Sequence, residues 1–295
     1  MTVTKSLYWF VKSTCDMEVQ IISVERIKEY SEIPSEAAWN IEHEPVQDNW
    51  PESGKVQIDC YSVRYRKGLD LVLDGITCHI LAGEKVGLVG RTGAGKSSLA
   101  LGLFRITESN EGRIHIDGID ITEIGLHKLR SSLTIIPQDP LLFSGTLRYN
   151  LDPFDKYTDA EIWEALKCGY LCEFVKSLKN ELDHEVSENG ENFSIGQRQL
   201  ICLCRALLRK TKIIVLDEAT ASIDIETDEI IQSMIRKRFS DCTIITIAHR
   251  ISTVIDYTRI LVLDEGRLME YDSPENLLHN GESQFYKMAR NAGLV

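Results

Sequence analysis

Lys85-Val86-Gly87-Leu88-Val89-Gly90-Arg91-Thr92-Gly93-Ala94-Gly95-Lys96-Ser97-Ser98-Leu99-Ala100-Leu101-Gly102-Leu103 reads as an apolar strand, a glycine-rich loop and the start of a helix. Gly90 to Ser97 fit the spacing G-x-x-x-x-G-K-[ST] of a phosphate-binding loop. The chemistry accounts for the composition. Glycines let the backbone curl until several N–H groups face one anion, and the following helix adds its positive N-terminal end. The candidate binding residues are therefore Gly90, Arg91, Thr92, Gly93, Ala94, Gly95, Lys96, Ser97 and Ser98. Lys96 reaches toward β- and γ-phosphates, and Ser97 is placed to ligate Mg2+.

Working outward, further apolar runs follow at Leu133–Ile136, Ile213–Leu216, Thr243–Ile247 and Ile260–Leu263, several of them separated by helical stretches. Continuous apolar strands imply burial on both faces, so the expected class is α/β. Ahead of them, Val56, Ile58 and Cys60 alternate with polar residues, as does the stretch around Val72 and Leu73, which predicts an antiparallel β flap. Glu161–Cys172 and Gln197–Leu208 read as helices with no strand-like run from Asp159 to Lys210, so a helical subdomain is expected to interrupt the core at about residues 140–210. The run Ile213-Ile214-Val215-Leu216 ends in Asp217-Glu218. Ligands of α/β sheets bind at the carboxyl ends of strands. Asp217 is thus a candidate Mg2+ ligand, and Glu218 a candidate for polarising an attacking water.

Composition sets outer bounds. With 295 residues, 26 % charged and 43 % hydrophobic, the chain has the make-up of a globular protein. A net charge of -12 argues against a broad basic face for nucleic acid. The eight cysteines form no C-x-x-C pair and read as buried, reduced thiols with no metal cluster. No run of about 20 apolar residues is present to span a bilayer. Leu7, Phe10, Thr14, Met17, Ile21 and Val24 nevertheless follow a heptad-like stripe. That stripe fits either an amphipathic helix packed on its own domain or the cytoplasmic end of a membrane helix. Residues 31–55 carry Pro34, Pro45 and Pro51 among acids and read as a linker.

Asn192-Phe193-Ser194-Ile195-Gly196-Gln197-Arg198-Gln199-Leu200 resembles the signature of ATP-binding cassette proteins and stands just before the Asp217 strand, where that family places it. The chain is also similar to the family at Gln138 in Ile135-Ile136-Pro137-Gln138-Asp139-Pro140 (the Q-loop), at Ala221-Ser222-Ile223-Asp224 (the D-loop), and at His249 in Ile247-Ala248-His249-Arg250 (the switch histidine). The resemblance covers about residues 56–295, with all six elements in family order. Leu142-Phe143-Ser144-Gly145-Thr146-Leu147-Arg148, Asn150-Leu151-Asp152-Pro153-Phe154 and Cys242-to-Arg250 look like the second nucleotide-binding domain of the multidrug-resistance-associated proteins. Val24-to-Tyr30 and the ending Ala289-to-Val295 look like the same proteins, which favours the membrane-helix reading of residues 1–30.

The resemblance implies a P-loop NTPase core with an antiparallel β flap and an inserted helical subdomain. It implies an ATPase using ATP and Mg2+, driving membrane export of organic anions or conjugates. Tyr65 falls where the family stacks an aromatic under adenine. Glu218, His249 and Gln138 take catalytic roles, with Gln138 joining Ser97 and Asp217 at the metal. Ser194, Ile195, Gly196 and Gln197 cap the ATP of an opposing domain, with Asp224 in the D-loop. Ser194 and Gly196 are expected to precede a helix. Phe193 and Ile195 depart from the common L-S-G-G-Q, which restricts the backbone there. The implied partners are a second nucleotide-binding domain and transmembrane domains. They place the chain at the cytoplasmic face of a membrane through segments it lacks. A regulatory module that senses ATP with little turnover, and a soluble cassette ATPase, remain the alternative readings.

Overall fold

The computed structural model describes residues 2–47, 49–217, 225–248 and 250–294. It divides into a first unit up to Trp39 and a second from Asn40 onward. The first unit holds helix α1 (Thr2–Ser31), which contains the whole apolar stripe and has no buried residue. Tyr8, Trp9 and Phe10 are each more than half exposed. Among the described residues, no helix is long and apolar enough to cross a membrane.

The second unit begins with β1 (Val56–Val63) and β2 (Leu73–Ile80), then β3 (Lys85–Gly90), α2 (Lys96–Leu103), β4 (Glu111–Ile116), β5 (Ile119–Asp120), α3 (Leu126–Ser132) and β6 (Leu133–Ile136). The insertion follows: β7 (Gly145–Thr146), α4 (Leu147–Leu151), α5 (Asp159–Cys168), α6 (Cys172–Ser177), β8 (Glu185–Val186) and α7 (Ile195–Arg209). The chain returns through β9 (Ile213–Asp217), α8 (Ile225–Arg238), β10 (Thr243–Ile247), β11 (Arg259–Asp264), β12 (Arg267–Asp272), α9 (Pro274–His279) and α10 (Gln284–Asn291).

The apolar runs assemble into one six-stranded sheet in the order β12-β11-β3-β10-β9-β6. Its members run parallel except β12, which pairs antiparallel with β11. Burial on both faces explains the unbroken hydrophobicity of β3, β9, β10 and β11, while Ile135 of the edge strand β6 is 43 % exposed. In β9, Ile213 and Val215 join the core shared with the flap and α2, while Ile214 and Leu216 join the core under the helical insertion. A third core, around Val89, Val254 and Phe285, lies where the C-terminal segment closes the sheet. The flap is a separate antiparallel sheet, β2-β1-β4-β5.

Several local expectations are corrected. The alternation through Cys60 breaks at a bulge between Ile58 and Tyr61, so Cys60 is exposed and Tyr61 turns inward. Tyr61 packs so closely on α2 that a Cβ on Gly102 would lie 2.4 Å from its hydroxyl. Cys15 is exposed as well, and only Cys78, Cys202 and Cys204 are buried. Burial pushes the Cys78 thiol up to about 12 and raises the thiols of Cys202 and Cys204 as well, disfavouring their thiolates. The helix read over Glu161–Cys172 is two: α5 ends at Gly169, where a Cβ would meet Cys204 Sγ at 2.3 Å, and Tyr170 turns left-handed at φ 57°. The insertion also contains a short strand pair, β7 with β8.

Part of the acidic stretch is fastened rather than loose. Trp50 is buried with its indole N–H donating to the Ile116 carbonyl at 3.3 Å. The Asp117 carboxylate accepts from the Ser53 hydroxyl (2.5 Å) and from the N–H groups of Ser53, Gly54 and Lys55 (2.9, 3.2 and 2.8 Å). Burial alone would raise its pKa, but these four donors together hold it below the usual carboxylate value.

Candidate phosphate and nucleotide site

Because β3, β10, β9 and β6 are parallel neighbours, their carboxyl ends share one edge. Leu88, Ile247 and Asp217 lie in one row across three strands, and Ile136 of β6 pairs with Leu216. With strands about 4.8 Å apart, the loop after β3 and the acid closing β9 are about 10 Å apart across the sheet. The topology therefore gathers the loop at Gly90, the acid at Asp217 and Gln138, two residues past β6, at one edge.

The loop itself is built around glycine conformations. Gly93 and Gly95 have φ of 84° and 97°. A Cβ on Gly95 would lie 2.6 Å from Leu73 Cδ2 and 2.9 Å from the Val72 carbonyl oxygen, so neither the angle nor the space admits a side chain. Gly95 caps α2 with no side chain covering the first turn, which leaves its N–H groups for a ligand. Lys96 is 5 % exposed and its ammonium donates to the carbonyls of Gly90 (2.7 Å) and Arg91 (2.9 Å). Ser97 points outward while Ala94 and Ser98 are buried. Arg91, Thr92 and Gly93 form the exposed tip.

Tyr65 lies just beyond β1, and its hydroxyl meets the Ser98 hydroxyl at 2.7 Å. That contact anchors the ring beside the phosphate loop while leaving it 51 % exposed. Asp217 ends β9 half-buried, and Gln138 is exposed. Glu218, Asp224 and His249 lie outside the described residues.

The signature segment opens α7. Ser194 is its N-cap: the hydroxyl accepts from the Gln197 N–H at 3.1 Å, and the Gln197 side-chain oxygen accepts from the Ser194 N–H at 2.9 Å. Gly196 does not precede the helix but sits in its first turn, where a Cβ would approach Thr227 Cγ2 at 3.0 Å. The two departures from the common motif are accommodated differently. Phe193 is buried and meets Phe174 and His184 edge-on, each at a 6.0 Å centroid distance. Ile195 is 42 % exposed and displaces nothing.

Some supporting residues escaped the sequence reading. Gly266, in the β11–β12 turn, donates to the Ala94 carbonyl at 3.2 Å, and a Cβ there would sit 2.4 Å from the Val72 oxygen. Asp264-Glu265-Gly266 after an apolar strand was the available signal. Arg205 of α7 donates to the Asn150 side-chain oxygen (2.8 Å) and Asn150 pairs at both ends with Phe143, a link between distant segments with no local signature.

Comparison with known proteins matches residues 73–221, about half the chain, to the ABC transporter family model. Rat ATP-binding cassette sub-family C member 3 is 58 % identical over 295 residues, and human sub-family C member 2 is 56 % identical over 294. Each alignment takes in 100 % of this chain but 19 % of the relative, so the chain spans about a fifth of their length. A bacterial Atm1-family ABC exporter, solved with ATP bound, superposes with a TM-score of 0.82 and 35 % identity over 92 % of this chain and 47 % of that one. The chain therefore belongs to the ABC transporter family and carries its ATP-binding ATPase domain, of the sub-family C type found in multidrug-resistance-associated proteins.

Proposed function

We propose that the domain binds MgATP on Gly90–Ser98 and hydrolyses it when the signature segment of a second nucleotide-binding domain covers the nucleotide. In the full-length protein this cycle drives export of organic anions or conjugates across a membrane, with the domain on the cytoplasmic face and joined to transmembrane domains. The observation that carries the reading is Lys96, a buried ammonium held on two carbonyls of its own loop ahead of an uncapped helix. Phosphate oxygens exchange for those carbonyls without moving the cation far.

Each residue has a physical task. Tyr65 stacks on adenine. The loop N–H groups and Lys96 hold the phosphates and offset charge as it builds on them. Glu218 orients the attacking water and takes its proton as the new P–O bond forms and the bond to the β-phosphate oxygen breaks. His249 hydrogen-bonds the γ-phosphate. Ser194, Ile195, Gly196 and Gln197 close over the partner's ATP, with Asp224 as the D-loop acid. The Ser97 hydroxyl, Asp217 carboxylate and Gln138 amide oxygen form an all-oxygen donor set, which fits magnesium. Bound there, the ion supplies further charge stabilisation to the phosphates.

Steady-state turnover with MgATP tests the reading. The wild-type chain is expected to hydrolyse slowly, Glu218→Gln to bind without hydrolysing, and Lys96→Met to lose affinity. Equal turnover by the wild type and Glu218→Gln refutes the catalytic assignment; binding with no turnover by the wild type favours the ATP-sensing alternative.

A further inference from the structure

Gln199 lies in the second turn of α7, the helix that Ser194 opens, and is fully buried at 0 % exposure. Its amide nitrogen donates to the Pro137 carbonyl at 3.4 Å, immediately before Gln138. Among the described residues its amide oxygen has no hydrogen-bond partner. The asymmetry has a local cause. A side-chain amide against backbone normally pairs at both ends, as Asn150 does with Phe143, accepting from its N–H at 2.8 Å and donating to its carbonyl at 2.7 Å. Pro137 has no N–H to return, so Gln199 makes half a pairing, and at long range. A flipped amide would set oxygen against the Pro137 carbonyl oxygen, so the nitrogen is assigned to that side. A buried acceptor left unpaired destabilises this arrangement relative to one in which a donor reaches it.

Resting on the proposed ATP cycle, we propose that Gln199 is a positioning residue that ties the signature helix to the Q-loop, its free oxygen gaining a donor only when the two close together around nucleotide. The contact runs between segments 62 positions apart; on the proposed cycle it joins the segment that covers a partner's ATP to the loop at the domain's own. A long, one-ended bond suits that role: it guides the loop without locking it.

Hydrogen exchange with and without Mg2+ and a non-hydrolysable ATP analogue tests this directly. It is followed over residues 90–103 and 137–143 in the wild-type chain, Gln199→Met and Gln199→Asn, together with nucleotide Kd, turnover and Tm. Met keeps the shape without the amide; Asn keeps the amide without the reach. In the wild type, nucleotide is expected to slow exchange in both segments. Both variants are expected to keep the protection of 90–103 and a Kd within about twofold, yet to lose the protection of 137–143, with turnover down about tenfold. Gln199→Met should also keep its Tm, because the unpaired oxygen is gone. A packing role alone would spare Met and harm Asn in Tm, with protection of 137–143 intact in Met; that result overturns the proposal. So does a wild type whose 137–143 exchange ignores nucleotide. If both segments respond but ATP is never hydrolysed, and the variants still lose the 137–143 response, the positioning role stands while the hydrolytic reading falls.

Discussion

Replacing Lys96 with Met separates a nucleotide site from a well-packed turn. Met keeps most of the volume of this 5 %-exposed side chain and removes the charge. In the free protein, the carbonyls of Gly90 and Arg91 lose their 2.7 and 2.9 Å donors. Arg91 is exposed and Gly90 half-buried, so water replaces much of what is lost, and the stability change should stay near 1 kcal/mol. On the proposed reading the balance differs with ATP bound, because the ammonium would then bond a phosphate oxygen bearing full charge. A hydrogen bond to a charged group contributes about 1.5–3 kcal/mol, which is roughly a tenfold to 150-fold loss of affinity. Isothermal titration with MgATP, beside a denaturant midpoint for each protein, measures both terms. An unchanged Kd means this loop does not hold the phosphates. A lost affinity matched by an equally large loss of stability means the lysine serves the fold.

Three further outcomes follow from the geometry. Tyr65→Ala should weaken ATP binding by roughly 1–3 kcal/mol while Tyr65→Trp preserves it, since a ring face suffices; equal affinity in the two variants removes Tyr65 from the adenine site. Gly95→Ala must take φ 97° with its Cβ 2.6 Å from Leu73, and should destabilise the chain by about 1–3 kcal/mol in urea while abolishing nucleotide binding; a stable, binding-competent variant contradicts the close approach. Asp117 has a depressed folded pKa, so its contribution to stability is complete above the unfolded value of about 3.9 and is lost as pH falls through the lower folded value. Asp117→Asn fits the same left-handed backbone at φ 51° and should remove that part of the acid dependence; urea midpoints of the two proteins that fall in parallel below about pH 4 would show otherwise.

What the sequence made legible was the part written locally. Unbroken apolar runs betrayed strands, and the six-stranded sheet contains all of them. The glycine spacing gave the phosphate loop, whose left-handed residues then appear at Gly93 and Gly95. Ser194 and Gln197, three apart, are a capping box. Illegible were the features set by distant partners. Cys60 turned outward because a bulge intervenes before Tyr61, and bulges carry no reliable local mark. Glu161–Cys172 kept helical spacing, but close packing of Gly169 on Cys204 ends α5 early. The Tyr65–Ser98 contact and the half-paired Gln199 join residues 33 and 62 positions apart, which no window of sequence contains.

The central claim is that ATP on the Lys96 loop is hydrolysed only under the signature segment of another domain. The most direct test is the specific MgATPase activity of the chain over a hundredfold range of concentration, with sedimentation at each point. A shared site predicts activity per chain that rises with concentration as dimers form, and that levels off once they predominate. Activity per chain that stays constant while the protein sediments as a monomer contradicts a site built from two domains.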